Sequence, residues 1–510
     1  MQIIIEEKGA RRSAEATEGM TILQVLQQAG VTAVHSPCGG AGTCKKCTVT
    51  VHGGGVDGEC LACQTMAAEG MTVIVDAHGE MEVQKSGACT VYPPDKGQTG
   101  YAIGCDIGTT TVVCHLLDLA TGKRLGTVGG ANAQKPFGAD VIARIQASVA
   151  GQRERMTKAI IDQLCGMIGA LCEENRVPVD EIHYMAVAGN TVMCHLFAGL
   201  APDTIGKAPF TPLSLFGEEL DAKALGFPFA GKVYVTPAVA GYVGGDITAD
   251  VLATGMLHRE KPVLMLDIGT NGEMMLGCGE KFVCCATAAG PAFEGANIKQ
   301  GMPAMPGAIS EVTIEDGEVK VKVLGGGKAV GICGSGLVDA MAVMLELGAV
   351  DETGRLLDED EVPDGTERYL DEDDDGNIFK LTEDGSVVIT QADVREIQLA
   401  KASIAAGVVV MAGRYGIPVE ELDELILAGG FGSYIRPASA ARIGLIPPGL
   451  LGVTRAVGNA AGEGAVSAAV SGAARELLKQ IRQDSEYIEL SGDSAFNDAY
   501  IEQMMFEEAE

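Results

Sequence analysis

Two stretches of this chain repeat one another, and an internal repeat constrains a fold more tightly than composition does. "YAIGCDIGTTTVVCHLLD" begins at Tyr101 and "VLMLDIGTNGEMMLG" at Val263. Each reads as an apolar strand ending in an aspartate (Asp106 or Asp267), a tight glycine turn carrying hydroxyl or amide side chains, and a second strand. Such a turn presents backbone N–H groups and threonine hydroxyls to phosphate oxygens, and the aspartate can position Mg²⁺ or its water. A single copy would be an ordinary β-turn. Two copies facing one another would hold a nucleotide's phosphates between two lobes.

A third stretch, "LDELILAGGFGSYI" from Leu422 to Ile435, is an apolar strand followed by Gly429, Gly430 and Gly432, which permit close approach of a flat adenosine. In this order the three stretches resemble the actin, sugar-kinase and heat-shock-chaperone superfamily of two-lobed ATPases. The segments "GYVGGDITADVLATG" and "GNAAGEGAVSAAVSG" look like its two connecting helices, rich in small residues so that the lobes pack and pivot. The resemblance implies a duplicated, ribonuclease H-like α/β body: lobe I at 101–250, lobe II at 251–480 with an acidic insert at 351–386, and a C-terminal tail at 481–510. Carried over residue by residue, it assigns Asp106 and Asp267 to Mg²⁺ and the attacking water. Gly108, Thr109, Thr110, Thr111, Gly269, Thr270 and Asn271 go to the phosphates of ATP, and Gly429, Gly430 and Gly432 to the adenosine.

The first eighty residues follow different rules. "MQIIIEE" and the residues after it read as a strand and hairpin, "EATEGMTILQVLQQAG" as a helix ended by Gly30, and "CTVTVHG" and "MTVIVDA" as alternating strands. Between helix and strand lies "CGGAGTCKKC", Cys38 to Cys47, followed by Cys60 and Cys63 in "GECLACQT". Four thiolates suit zinc or iron-sulfur, and Cys44, Cys47, Cys60 and Cys63 would make a pair of zinc knuckles. That reading leaves Cys38 and the glycines without a purpose. A [2Fe-2S] loop needs both, because the chain must curl around inorganic sulfide with its amides pointing inward.

The stretch resembles a plant- or adrenodoxin-type ferredoxin, a β-grasp fold, over residues 1–83. The resemblance implies Cys38, Cys44, Cys47 and Cys63 as ligands of a low-potential one-electron carrier near about -400 mV. Cys60 departs from the pattern and leaves open which of the two later cysteines closes the site. Residues 84–100, rich in Pro, Gly and polar side chains, read as a linker.

Composition sets the outer bounds. With 510 residues, 47% hydrophobic and 21% charged, the chain is globular and multidomain. A net charge of -32 without a basic stripe argues against nucleic acid. The sequence shows no secretory leader and no run of ~20 apolar residues to span a bilayer. A cytoplasmic protein with reduced thiols is expected, the remaining cysteines being core residues.

Asn190, Thr191, His195, Glu294 and Asn297 follow apolar strands and are candidates for site loops, as is the glycine turn at Gly331–Ala342. For His195 a satisfied core position is expected, because no partner lies at ligand spacing. The acidic segment around Asp371, Asp373, Asp375 and Gly376 nearly spells a calcium loop but has Thr382 where the bidentate glutamate belongs, so it reads as a solvated loop. Phe496, Tyr500, Met504 and Phe506 form a C-terminal apolar face expected to dock on the ATPase body.

A ferredoxin joined to an ATPase suggests that ATP moves an electron uphill. "PFGADVIARI", "GNTVMCHL", "GYVGGD" and "LAGGFGSYI" resemble the reductive activators of corrinoid-dependent methyltransferases, as does the whole-chain order. That resemblance implies ATP-dependent one-electron reduction of a corrinoid protein from Co(II) to Co(I). A low-potential donor would supply the electron, and a homodimer is possible. The chain departs from longer members in carrying a short linker where they have an additional middle domain. Rival readings are an activator of 2-hydroxyacyl-CoA dehydratases, a small-molecule kinase with a redox-sensing ferredoxin, and a non-enzymatic binding module.

Overall fold

The structure is a computed structural model that describes all residues except 8–9, 18, 30, 32–33, 35–41, 43–46, 76–88, 91, 270, 375, 433 and 508–510. Cys38, Cys44 and Thr270 therefore lie outside the described residues, as does Gly30.

Residues 1–75 form a five-stranded sheet in the order Ala10–Glu15, Gln2–Glu7, Thr72–Val75, Thr48–His52, Gly58–Leu61, wrapped on the helix Ile22–Gln28. The alternation of the sequence puts Ile3, Ile5, Val49, Val51, Val73 and Val75 on the inner face, against Ile22, Val25 and Leu26. A capping box starts the helix: Gln24 N donates to Thr21 Oγ1 at 3.3 Å, and Thr21 N donates to Gln24 Oε1 at 2.9 Å.

The remainder is built from two related sheets. In the first, Tyr101–Ile107 pairs antiparallel with Thr111–Asp118, which pairs antiparallel with Arg124–Ala131. On its other side it pairs parallel with Ile182–Gly189, followed by Lys232–Val235. In the second, Val263–Ile268 pairs antiparallel with Gly272–Cys278 and then Lys281–Thr287, and on its other side parallel with Glu424–Ala428 and then Thr454–Gly458. The five strands follow one order in both lobes, so the sequence repeat is a structural duplication. Each lobe adds one edge strand of its own, Glu218–Asp221 in the first and Ser485–Tyr487 in the second. The segment 481–510, expected as a tail, is thus partly a strand of the lobe II sheet.

Two helices join the lobes. Gly245–Thr254 and Ala460–Val470 pack against one another, and the second also lies on strands Tyr101–Ile107 and Ile182–Gly189. Their approach is too close for side chains: a Cβ on Gly464 would collide with the Ala249 carbonyl, and one on Gly104 would sit 2.9 Å from Val466 Cα. The linker's last residues are tied to this pair. Thr90 N donates to Ala253 O at 2.7 Å, and Asp95 N donates to Val470 O at 3.0 Å.

Helix Gln391–Tyr415 is long and apolar enough to cross a membrane, yet 72% of its apolar window is buried inside lobe II. Its apolarity serves the core. The C-terminal helix Ser494–Glu502 packs on it, and Phe506 is buried with the Lys401 ammonium 5.0 Å from its ring centroid. The acidic segment forms a hairpin of Leu370–Asp373 and Gly376–Lys380, and among the described residues it is flanked by strands and the short 3-10 turn Glu367–Tyr369, not by the two α-helices a calcium loop requires.

The helix contact yields a paired test. Gly464→Ala should destabilise the ATPase body by about 1–3 kcal/mol through overpacking. Gly413→Ala, on an exposed helical position with open space around its Cβ, should stabilise by about 0.5–1 kcal/mol. Urea unfolding followed by circular dichroism measures both.

Candidate functional site

The strand ends of both repeats, the first connecting helix and the glycine loop converge on a cavity of about 1070 Å³ between the lobes. Asp106 and Asp267 close the first strand of each lobe and line it together. Asp106 accepts a hydrogen bond from Asn459 Nδ2 at 2.9 Å, while Asn459 Oδ1 accepts from Gly462 N at 2.7 Å. One side chain therefore starts the second connecting helix and holds the lobe I aspartate. Gly429 has φ +81, and a Cβ there would overlap Asp267 Oδ1, so both backbone and space require glycine.

The sequence reading missed further carboxylates. Asp246 and Asp250, one turn apart on the first connecting helix, line the cavity with Glu273 of the second phosphate hairpin. Burial, reinforced by the neighbouring carboxylates, pushes Asp246 up to about 8. Burial likewise raises Asp106 to about 7, against the lowering effect of the Asn459 hydrogen bond. Burial also raises Asp267 to about 6 and holds Asp250 and Glu273 well above the ordinary carboxylate range. Neither Asp250 oxygen receives a hydrogen bond from a conventional donor, and the neighbour it faces is Asp267, so the two can bond only by sharing a proton.

Such a concentration of buried negative charge fits a cation. Among the described residues no three His, Cys, Asp or Glu side chains converge to hold one metal ion. Mg²⁺ keeps several waters and takes one or two carboxylates plus substrate phosphates.

The first phosphate turn is braced from behind. Thr109 O accepts from Arg144 Nη2 at 2.5 Å, Thr109 Oγ1 from Asn190 Nδ2 at 2.9 Å, and Gly108 O from Asn132 Nδ2 at 2.7 Å. Arg144 is fully buried, so its role is to position the turn. Thr110 Oγ1 donates to Glu294 Oε1 at 3.0 Å, linking the turn of lobe I to a loop of lobe II. Thr111 lines the same wall, as do Gly269 and Asn271 opposite, where Gly269 N donates to Asn271 O at 2.9 Å.

Gly429 and Gly430 border the cavity with Phe431, whose ring stacks on Phe293 at 5.1 Å. Gly432 does not: it packs against Leu427, beneath the loop. Cys333 to Ser335, at the start of helix Gly334–Glu346, complete this wall. Asn190 and Glu294 belong to the site through the bonds just described, and Asn297 lines the cavity. His195 does not belong. It is buried, with Nδ1 bonded to Thr191 O at 2.7 Å and Nε2 accepting from Leu213 N and Ser214 N.

In the N-terminal domain Cys47 and Cys63 are buried and adjacent in space, with Ala62 N donating to Cys47 O at 2.8 Å. Cys60 lies mid-strand opposite Val49 and shares its core-facing side. Cys63, in the turn beyond, is therefore better placed to join Cys47. Cys284 and Cys285 point to opposite faces of one strand, into separate cores, and cannot build a shared cluster site.

Residues 261–510 match the family described as the C-terminal domain of RACo, the ASKHA domain. Residues 101–259 match the RACo middle region, and residues 5–68 the 2Fe-2S iron-sulfur cluster binding domain. The corrinoid activation enzyme RamQ of Eubacterium limosum is 35% identical over 427 residues, covering 81% of this chain and 71% of that protein. The chain belongs to the RACo family of reductive activators.

The [Co(II) methylated amine-specific corrinoid protein] reductase of Methanosarcina barkeri is 27% identical, covering 68% of this RACo-family chain and 66% of its own length. A solved reductive activator for corrinoid, iron-sulfur protein matches with a TM-score of 0.69 at 32% identity, over 99% of this chain and 98% of that one. The middle-region match overturns the expectation that a middle domain is missing. That region is lobe I itself.

The buried carboxyls bind protons more tightly folded than unfolded, so the ligand-free protein loses stability as pH rises from about 4 to about 8. Asp250→Asn removes one such group. Between pH 6 and 8, without Mg²⁺ or nucleotide, its melting temperature should fall about 1–3 °C less than that of the wild type. Parallel slopes by thermal unfolding would contradict this assignment.

Proposed function

We propose that this protein uses ATP to drive the one-electron reduction of a corrinoid protein from Co(II) to Co(I), with its N-terminal domain carrying the electron. The observation that carries this reading is that the ferredoxin domain and the ATPase cleft meet. Gln27 Nε2 donates to Pro136 O at 3.0 Å, and Gln27, Val31 and Val34 line the same cavity as Asp106 and Asp267. The names of the relatives, a corrinoid activation enzyme and a Co(II) corrinoid protein reductase, support the substrate class.

Cys47 and Cys63, with Cys38 and Cys44 of the loop between helix and strand, would hold a [2Fe-2S] cluster. The burial of the first two in an apolar core suits a group that must be kept from water. The cluster would supply a one-electron carrier between a low-potential donor and the cobalt substrate. Asp106 and Asp267 would position Mg²⁺ and its waters, with Asp246 and Asp250 in the same cavity, the cation balancing their charge when ATP enters. Thr109, Thr110, Asn271 and the two glycine turns would orient the phosphates, while Gly429, Gly430 and Phe431 border the adenosine.

Coupling is energetically sensible. About 59 mV corresponds to a tenfold change in a one-electron equilibrium, so a few kcal/mol from ATP makes an unfavourable cobalt reduction proceed.

Two variants separate the halves of the account. Cys47→Ser should lose the cluster's visible absorption and corrinoid reduction while keeping ATP binding. Asp267→Ala should keep the absorption and lower ATP-dependent reduction at least about 100-fold. Anaerobic spectroscopy of Co(II) loss and Co(I) gain reads both, and undiminished reduction in either variant would contradict the proposal.

A further inference from the structure

The cleft wall is strongly negative, yet its occupant would be a polyanion. Besides Asp106, Asp246, Asp250, Asp267 and Glu273, it carries Glu294 and Asp140. The cations that reach it are two lysines, Lys135 and Lys299. Lys299 is committed to an ion pair with Asp373. The Lys135 ammonium, partly buried in the cavity wall, has neither an ion pair nor a hydrogen-bond partner among the described residues. Burial lowers its pKa, with Glu294 opposing, and an anion beside it would favour the charged form.

Its position along the cleft is fixed by the bonds around it. Lys135 N donates to Asn132 O at 3.0 Å, and Asn132 N donates to Thr110 O at 2.9 Å, tying the lysine's loop to the first phosphate turn. The carboxylate it faces is Glu294, which bonds Thr110. The glycine loop expected at the adenosine lies against Asp267, through Gly429. Asp106, Thr110 and Glu294 line the same cleft, and Lys135 is tied to the first phosphate turn. A nucleotide with its base at the glycine loop and its phosphates at that turn would have its last phosphate within reach of Lys135.

We infer that Lys135 is a specificity-determining contact for the terminal phosphate of ATP, distinguishing ATP from ADP. An ammonium is suited to this as a point charge on a flexible stem. The next residue, Pro136, accepts the hydrogen bond from Gln27 of the ferredoxin domain, so the residue that meets the last phosphate adjoins the electron carrier.

This inference rests on the reading of the cleft as an ATP site, and the test separates the two. The affinities of the full-length protein for ADP and for the β,γ-imido analogue of ATP, each with Mg²⁺, are measured by calorimetry for wild type, Lys135→Arg, Lys135→Gln and Lys135→Ala. The inference predicts at least tenfold weaker binding of the analogue in the Gln and Ala variants, with ADP affinity changed less than threefold and the Arg variant near wild type. Unaltered ADP binding also reports that a variant is folded. Equal loss for both nucleotides, or no loss for either, overturns the inference. Failure of the wild type to bind either nucleotide overturns the ATP reading beneath it.

Discussion

The close contact of the two connecting helices is the constraint on which the rest depends. Gly464 against the Ala249 carbonyl and Gly104 against Val466 bring the helix backbones together and onto the lobe I sheet. Because they meet without side chains between them, Asp246 and Asp250 of the first helix share one cleft with Asn459 at the head of the second. Larger residues at these positions would separate the helices and with them the carboxylates.

That arrangement stores a cost until the cleft is filled. Five buried carboxyls in one cavity hold their protons too tightly and leave Asp250 without a donor when ionised. A cation in the cleft would relieve that cost. The Thr110–Glu294 bond spans the lobes, while Asn459 binds Asp106, and Thr90 and Asp95 tie the linker to the connecting helices. The cleft meets the ferredoxin domain at the Gln27–Pro136 bond.

Much of this was legible in the sequence because it rested on local rules. The paired hairpins, the small-residue helices and the alternation of the N-terminal strands each carry a period or a turn chemistry that a reader can recognise. Asp246 and Asp250 lie within the connecting-helix segment, but nothing local tells which face of a buried helix meets a cleft. Arg144 and Asn132 escaped for a related reason: they act through the backbone of a turn in another part of the chain. Gly432, which the motif groups with Gly429 and Gly430, is not among the cavity-lining residues and has Leu427 as its neighbour.

The central claim is that ATP changes the driving force of an electron transfer made by this chain. The direct measurement is the fraction of Co(I) at equilibrium when a Co(II)-corrinoid protein, this protein and a redox buffer are held at one low potential, with and without an ATP supply. The account predicts a higher Co(I) fraction with ATP, returning to the baseline value when ATP is exhausted. The same Co(I) fraction with and without ATP, at every potential tried, would contradict it.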